Sequence, residues 1–355
     1  MSTTDDKYEP KTGLRPDPLD ERDFLYEDVM GADAGDLDWE KGFNVYEELG
    51  LPYPHQDQGR SYSCVAQSTA EHTRVWWKKL TGEDIEFSPR FIYPQIALGY
   101  AGGAYLRDGV HLVASKGVCD EGELPSYENG QPPSEDFMFN AAAITPDILA
   151  KALPHDRFNF RVILGGTDDI SLFAHAIRFN CGVVGGFKGT NIGWCRSEVR
   201  APQAGEDIWG HAVLLCAYGM HEGKRCMFTR NSWGGRYTIQ EGRWKGLQAI
   251  PEEYFTAGVQ TAVGEAKGVY VFNSWVLVPD SKLTPAQKTM DFLKKNEGKL
   301  VQDSQGSGAF GIVKGGKILV ASKERVAELL ATYIVRKEGV GVAREMWADA
   351  PKEDF

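Results

Sequence analysis

The chain has 355 residues, 42% of them apolar and 25% charged, which leaves room for two domains or for one large domain with an appendage. With 39 basic against 50 acidic side chains the net charge is −11, which argues against nucleic acid as the main partner. No apolar run reaches about 18 residues, so no membrane span is expected.

Residues 1–40 hold 13 acidic and 4 basic side chains, and the prolines of Gly13-Leu14-Arg15-Pro16-Asp17-Pro18 exclude a long helix there. An extended acidic strap, lying along a body surface or a partner, is predicted. Residues 63–80 read as a helix with an apolar stripe of Trp76, Trp77 and Leu80 and a glycine stop at Gly82. Ser88-Pro89 supplies a cap and a first-turn proline for a second helix, and 106–116 reads as a third, ended by Gly117.

The pattern then changes. Strands are predicted at 161–164, 182–187, 211–218, 225–229 and 269–278, with a helix at 170–179 and a hairpin turn over 219–224. Helices first and strands later describe an α+β protein with two lobes. After Pro279 the pattern restarts. Thr284-Pro285-Ala286-Gln287 is a capping box, strands 308–314 and 317–321 meet at Gly315-Gly316, and Ser322 caps a helix running to about Lys337. The organisation expected is a strap over 1–40, a main domain over 41–280 and a small α+β appendix over 281–355.

The cysteines at 64, 119, 181, 195, 216 and 226 contain no Cys-x-x-Cys pair, so a structural zinc site is not expected. Cys216 and Cys226, flanking the hairpin, read as buried thiols. The start Met1-Ser2-Thr3-Thr4-Asp5-Asp6 lacks the basic and apolar regions of a signal peptide. The expectation is free thiols in a reducing, cytoplasmic setting, or in a virus particle.

Chemistry concentrates in three segments. Cys64 lies at the start of the 63–80 helix, where the positive helix end favours a thiolate; a lone cysteine otherwise more often simply packs a core. Gln58, six residues earlier, is either an amide donor for an oxyanion or a turn residue in Asp57-Gln58-Gly59. His211 opens an apolar strand, where a satisfied core histidine is the commoner finding. Asn231, after the second hairpin strand, has the chemistry to orient that imidazole, and Trp233 to shield the bond from water. A thiol, an imidazole and an amide are the parts of a nucleophilic acyl-transfer site.

In this order and spacing the segments resemble the papain-like cysteine peptidases. Gln58, Cys64, His211 and Asn231 match that family's oxyanion glutamine, nucleophile, general base and orienting asparagine. Asn231-Ser232-Trp233-Gly234 matches its Asn-Ser-Trp-Gly run. Gly99-Tyr100-Ala101-Gly102-Gly103 is similar to its glycine segment, where Gly102 and Gly103 would let a substrate strand approach. The resemblance covers about residues 40–278. It implies a two-lobed papain-like fold, a peptide or protein substrate, and no metal or organic cofactor. It also implies that Trp209, two before the histidine, lines the pocket for the second side chain upstream of the cut.

Departures accompany it. Ser61 and Tyr100 stand where the family pairs two cysteines, Val65 replaces the usual tryptophan, and Lys188–Trp209 is a candidate insertion. The strap is shorter than the family's inhibitory propeptide and lacks its long helical pattern, so its removal is expected to destabilise more than to activate. Segment 281–355 lies outside the family core and is a candidate surface for a protein partner. Two other readings stay open, a particle or assembly scaffold built on this fold and an amidase or transpeptidase acting on cell-wall peptides.

Overall fold

The computed structural model describes residues 11–18, 20, 23–29, 37–54, 56–261, 264–279, 300–302, 310–314, 317–321 and 352–354. The chain divides into two compact units, one of residues 1–19 and 25–278 and one of residues 20–24 and 279–355.

The first unit is built around the helix Cys64–Thr81. The predicted stripe is a correction. Every residue from Cys64 to Trp77 is buried, whereas Leu80 is 42% exposed. The helix is the core of its lobe and not a surface helix with one apolar face. Its buried polar groups are therefore all the more dependent on partners. Tyr46 donates to Glu71 at 2.9 Å, Arg74 spans Glu71 at 3.1 Å and Asp84 at 2.7 Å, and His72 Nε2 meets the Asn180 carbonyl at 3.1 Å. Burial pushes the Glu71 carboxyl up to about 7, against the Arg74 charge. Trp76 Nε1 donates to Leu277 O at 2.8 Å and so ties the helix to the sheet. Gly82 ends the helix with φ of 80°, a left-handed turn that glycine adopts without strain.

The helices Pro89–Ile96 and Leu106–Lys116 pack beside it. Ser88 Oγ accepts from Phe91 N at 3.1 Å, the cap foreseen from Ser88-Pro89. The second lobe is a seven-stranded sheet. Its order is Phe158–Ile163, Ser274–Pro279, Val183–Gly189, Trp209–His221, Lys224–Thr229 and Gln248–Pro251, with Phe43–Asn44 also pairing on Trp209–His221. Antiparallel register sets Phe187 opposite His211 and Gly189 opposite Trp209. The register shifts between Leu215 and Ala217, a bulge that leaves Cys216 as the extra residue. All six cysteines are free, and Cys216 and Cys226 are buried.

In the second unit the strands Leu300–Gln302, Phe310–Lys314, Lys317–Ala321 and Lys352–Asp354 form one sheet in that order. The first three are antiparallel and the last runs parallel to the third. The Thr284–Gln287 capping box, the Gly315-Gly316 turn and the helix from Ser322 lie outside the described residues.

Candidate active site

Cys64 is the first residue of its helix and is fully buried. Burial raises its thiol above the ordinary value, and the backbone N–H groups of Ala212 and Gly13 at the sulfur partly oppose this. The Gly13 N–H lies 3.4 Å from Sγ.

His211 lies next to Ala212 on the strand Trp209–His221. Its Nε2 is 2.9 Å from Asn231 Oδ1, and the Trp233 ring stacks on it at 4.6 Å and 21°. Asn231 is held in turn, because its Nδ2 donates to Gln248 Oε1 at 3.0 Å. Gln248 Nε2 donates to the carbonyls of Trp194 and Arg196 at 2.7 and 2.8 Å. Two carbonyls accept only, so they fix which end of Gln248 is the nitrogen. That end fixes the Asn231 amide, and Asn231 Oδ1 requires the imidazole hydrogen on Nε2. Nδ1 is therefore the basic nitrogen. It is buried and has no hydrogen-bond partner. Burial lowers the imidazole to about 4, opposed by the Asn231 bond. Sequence reasoning missed Gln248, which looks like any residue of a short strand.

Gln58 is also fully buried. Ser232 Oγ donates to its Oε1 at 2.6 Å, and its Nε2 donates to Ser61 O at 2.9 Å. These contacts aim the amide N–H groups, and Nε2 also donates to the Lys11 carbonyl at 2.9 Å. Gln58, Cys64, His211 and Asn231 are thus brought into one buried cluster across the two lobes of the first unit.

The N-terminal segment crosses this cluster, a course the sequence did not reveal. Leu14–Arg15 pairs in parallel with Ala104–Tyr105, and Ala104 N donates to Gly13 O at 2.8 Å. Arg15 Nε donates to Gly102 O at 2.9 Å. Asp17 anchors the far end, accepting from Arg107 N at 3.1 Å and Trp275 Nε1 at 2.6 Å. The fit depends on missing side chains. A Cβ on Gly103 would lie 1.9 Å from Gly13 O, one on Gly210 would lie 2.4 Å from Leu14 O, and one on Gly13 would lie 2.0 Å from Tyr62 O. Leu14 Cδ2 fills the space over Gly186, beside Leu106.

Trp233 is fully buried against His211. Trp209 lies among Trp194, His211 and Trp233, at 5.8, 5.9 and 6.2 Å, with its Nε1 donating to Asn191 Oδ1 at 3.0 Å.

No protein-family model matches the chain. Several solved structures do. Xylellain, a cysteine protease from Xylella fastidiosa, aligns at 24% identity over 76% of this chain and 96% of its own, with a TM-score of 0.58. Procathepsin B S9 from Trypanosoma congolense aligns at 14% identity over 76% and 86%, with a TM-score of 0.53. A digestive procathepsin L2 proteinase from Tenebrio molitor larval midgut aligns at 20% identity over 72% of each chain, with a TM-score of 0.50. The fold of this chain is the α+β, two-lobed papain-like fold.

Proposed function

We propose that this chain is a cysteine-type peptidase that hydrolyses peptide bonds, and that residues 11–17 hold it latent. The observation that carries the reading is the braced set of Gln58, Cys64, His211 and Asn231 beneath a backbone segment. A scaffold has no need of an imidazole with a fixed tautomer one residue from the Ala212 N–H that meets a buried thiol at a helix start, which favours catalysis over the assembly reading.

In the reaction, His211 Nδ1 takes the Cys64 proton and the sulfur attacks the scissile carbonyl carbon. Gln58 Nε2 and the Cys64 backbone N–H receive the oxyanion. His211 returns the proton to the leaving amine, and water then hydrolyses the thioester, releasing the acid and restoring the thiol.

The same chemistry explains why the strap blocks and is not cut. The leaving amine takes its proton from His211, so the C-terminal half of a substrate exits over His211 and Trp233. The N-terminal half then lies toward Gly102. The strap runs from Lys11 at Gln58, beside Ser232 and Trp233, to Arg15 at Gly102, which is the reverse direction. It offers the sulfur an N–H and not a carbonyl carbon. The covered state also favours a neutral pair, since burial raises the thiol and lowers the imidazole.

A peptide-library digest with the full chain and its Cys64→Ala variant tests the reading. Cleavage lost in the variant supports it, and equal cleavage by both refutes it. Purified cell wall as substrate separates the amidase alternative.

A further inference from the structure

Resting on that reading, we infer that Glu135 is a positioning residue of the site. Its buried carboxylate joins the loop before Cys64 to the glycine segment and aims the Gln58 amide through the peptide between Ser61 and Tyr62.

Glu135 opens the short helix Glu135–Phe139, whose cap Ser134 accepts from Phe137 N at 3.3 Å. Arg60 N donates to Pro133 O at 2.9 Å, which seats the approach to this helix on the Gln58 loop. The glutamate is only 7% exposed, and a carboxylate so buried costs stability unless its oxygens are bonded. Its Oε2 accepts from Tyr62 N at 2.9 Å. Its Oε1 accepts from Tyr93 Oη at 2.7 Å and from Ala101 N at 2.9 Å. The donors come from three separate parts of the chain, the Cys64 loop, the helix Pro89–Ile96 and the glycine segment. Ala101 has a φ of 55°, a left-handed conformation that alanine rarely takes, and the carboxylate holds the N–H of that same residue.

The link to Gln58 runs through one planar group. The Ser61 carbonyl and the Tyr62 N–H belong to the same trans peptide, so they point in opposite directions and move together. Glu135 takes the N–H, and Gln58 Nε2 donates to the carbonyl at 2.9 Å. A carboxylate on the N–H also polarises the peptide and makes its carbonyl a better acceptor. Ser61 and Tyr100 stand where the papain-like family pairs two cysteines, and Glu135 holds the next residue of each, Tyr62 and Ala101. The carboxylate thus ties together the two loops that carry those positions, while all six cysteines are free.

A double-mutant cycle with Gln58 tests this in the full chain carrying Gly13→Ala to unseat the strap. Glu135→Gln keeps the shape, but whichever way its amide turns, Tyr62 N or Ala101 N faces an NH2 group and loses its acceptor. Amide exchange at one or both of these N–H groups should quicken about tenfold or more, read by NMR without reference to turnover. With a peptide ester as substrate, kcat should fall about tenfold, with KM little changed, as for a lost bond to a charged group. In a Gln58→Ala background the same change should cost less than about twofold, because the amide it acts through is gone. Glu135→Asp, too short to reach both loops, should show the same pattern and keeps the test valid if Glu135→Gln fails to fold. Unchanged exchange at both amides would overturn the bridge. An equal loss of kcat with and without Gln58, or a lowered melting temperature with kcat intact, would overturn the positioning role alone. No ester turnover in the Gly13→Ala parent would overturn the peptidase reading and the positioning role with it.

Discussion

The side-chain amide of Gln58 donates to the backbone carbonyl of Lys11 at 2.9 Å. The donor that the proposed reaction assigns to a developing oxyanion is thus satisfied by the chain's own N-terminal segment. The Gly13 N–H reaches the Cys64 sulfur two residues later, while the basic nitrogen of His211 has no partner. On the proposed reading, the site is assembled and covered by its own strap.

Contrary to the expectation drawn from the sequence, the seat of residues 11–15 across the candidate site means that weakening the far anchor should activate the chain. Asp17 receives two hydrogen bonds through its carboxylate, and bonds to a charged group contribute about 1.5–3 kcal/mol each. Asp17→Ala is expected to raise hydrolysis of a short fluorogenic peptide about tenfold or more. Unchanged turnover would mean that Asp17 does not hold the strap closed.

The thiol should report the same opening through pH. Burial raises the Cys64 pKa in the covered state, so little thiolate is present at neutral pH. Uncovering it removes the desolvation and moves the pKa down. Site-resolved iodoacetamide labelling of Cys64 should therefore be slow in the wild type. In Asp17→Ala it should be faster, with its onset at lower pH. Cys119, Cys216 and Cys226, pushed up to about 12 mainly by burial, should stay unlabelled in both. An onset that moves to higher pH in the variant would contradict the assignment.

In a strap-released background, Gln58→Ala should lower kcat about 10²- to 10³-fold, the usual loss for one oxyanion donor. Gln248→Leu acts through Asn231 and should cost about tenfold in kcat, with KM little changed. If Gln248→Leu alters only the melting temperature, the residue supports the fold and not the imidazole.

The central helix makes a separate prediction. Arg74→Met would leave Glu71 buried beside Tyr46 without its cation, and removing one partner of a buried pair costs about 3–5 kcal/mol. The Glu71 carboxyl is already pushed up to about 7 in the intact pair. A raised acid is neutral, and tolerated, below its folded pKa and charged above it. The destabilisation should thus be smaller at pH 5 than at pH 8 in urea titrations. An equal loss at both would show that Glu71 remains ionised throughout.

Much of this was legible in the sequence because it is local. The Ser88 cap, the glycine ends at Gly82 and Gly117, and the hairpin strands all follow from neighbouring residues. The grouping of Cys64, His211 and Asn231 was reached by resemblance, since no local rule brings segments about 150 residues apart together. The buried polar face of the Cys64 helix was not legible, because Glu71, His72 and Arg74 read as surface until Asp84, Tyr46 and Asn180 surround them. Nor was the course of residues 11–18. Prolines indicate an extended segment, but its seat depends on cradles at Gly103 and Gly210 that only the folded backbone defines.

Gly13→Ala tests the central claim most directly, because the change lies in the strap and leaves the four catalytic candidates untouched. Its Cβ would lie 2.0 Å from the Tyr62 carbonyl oxygen, so the strap cannot seat as it does. Turnover of a short peptide should be compared for the wild type, Gly13→Ala and Gly13→Ala/Cys64→Ala. The account predicts a rise in turnover of about tenfold or more in the single variant and its complete loss in the double. Activity no higher in Gly13→Ala than in the wild type, or activity that survives the loss of Cys64, would contradict it.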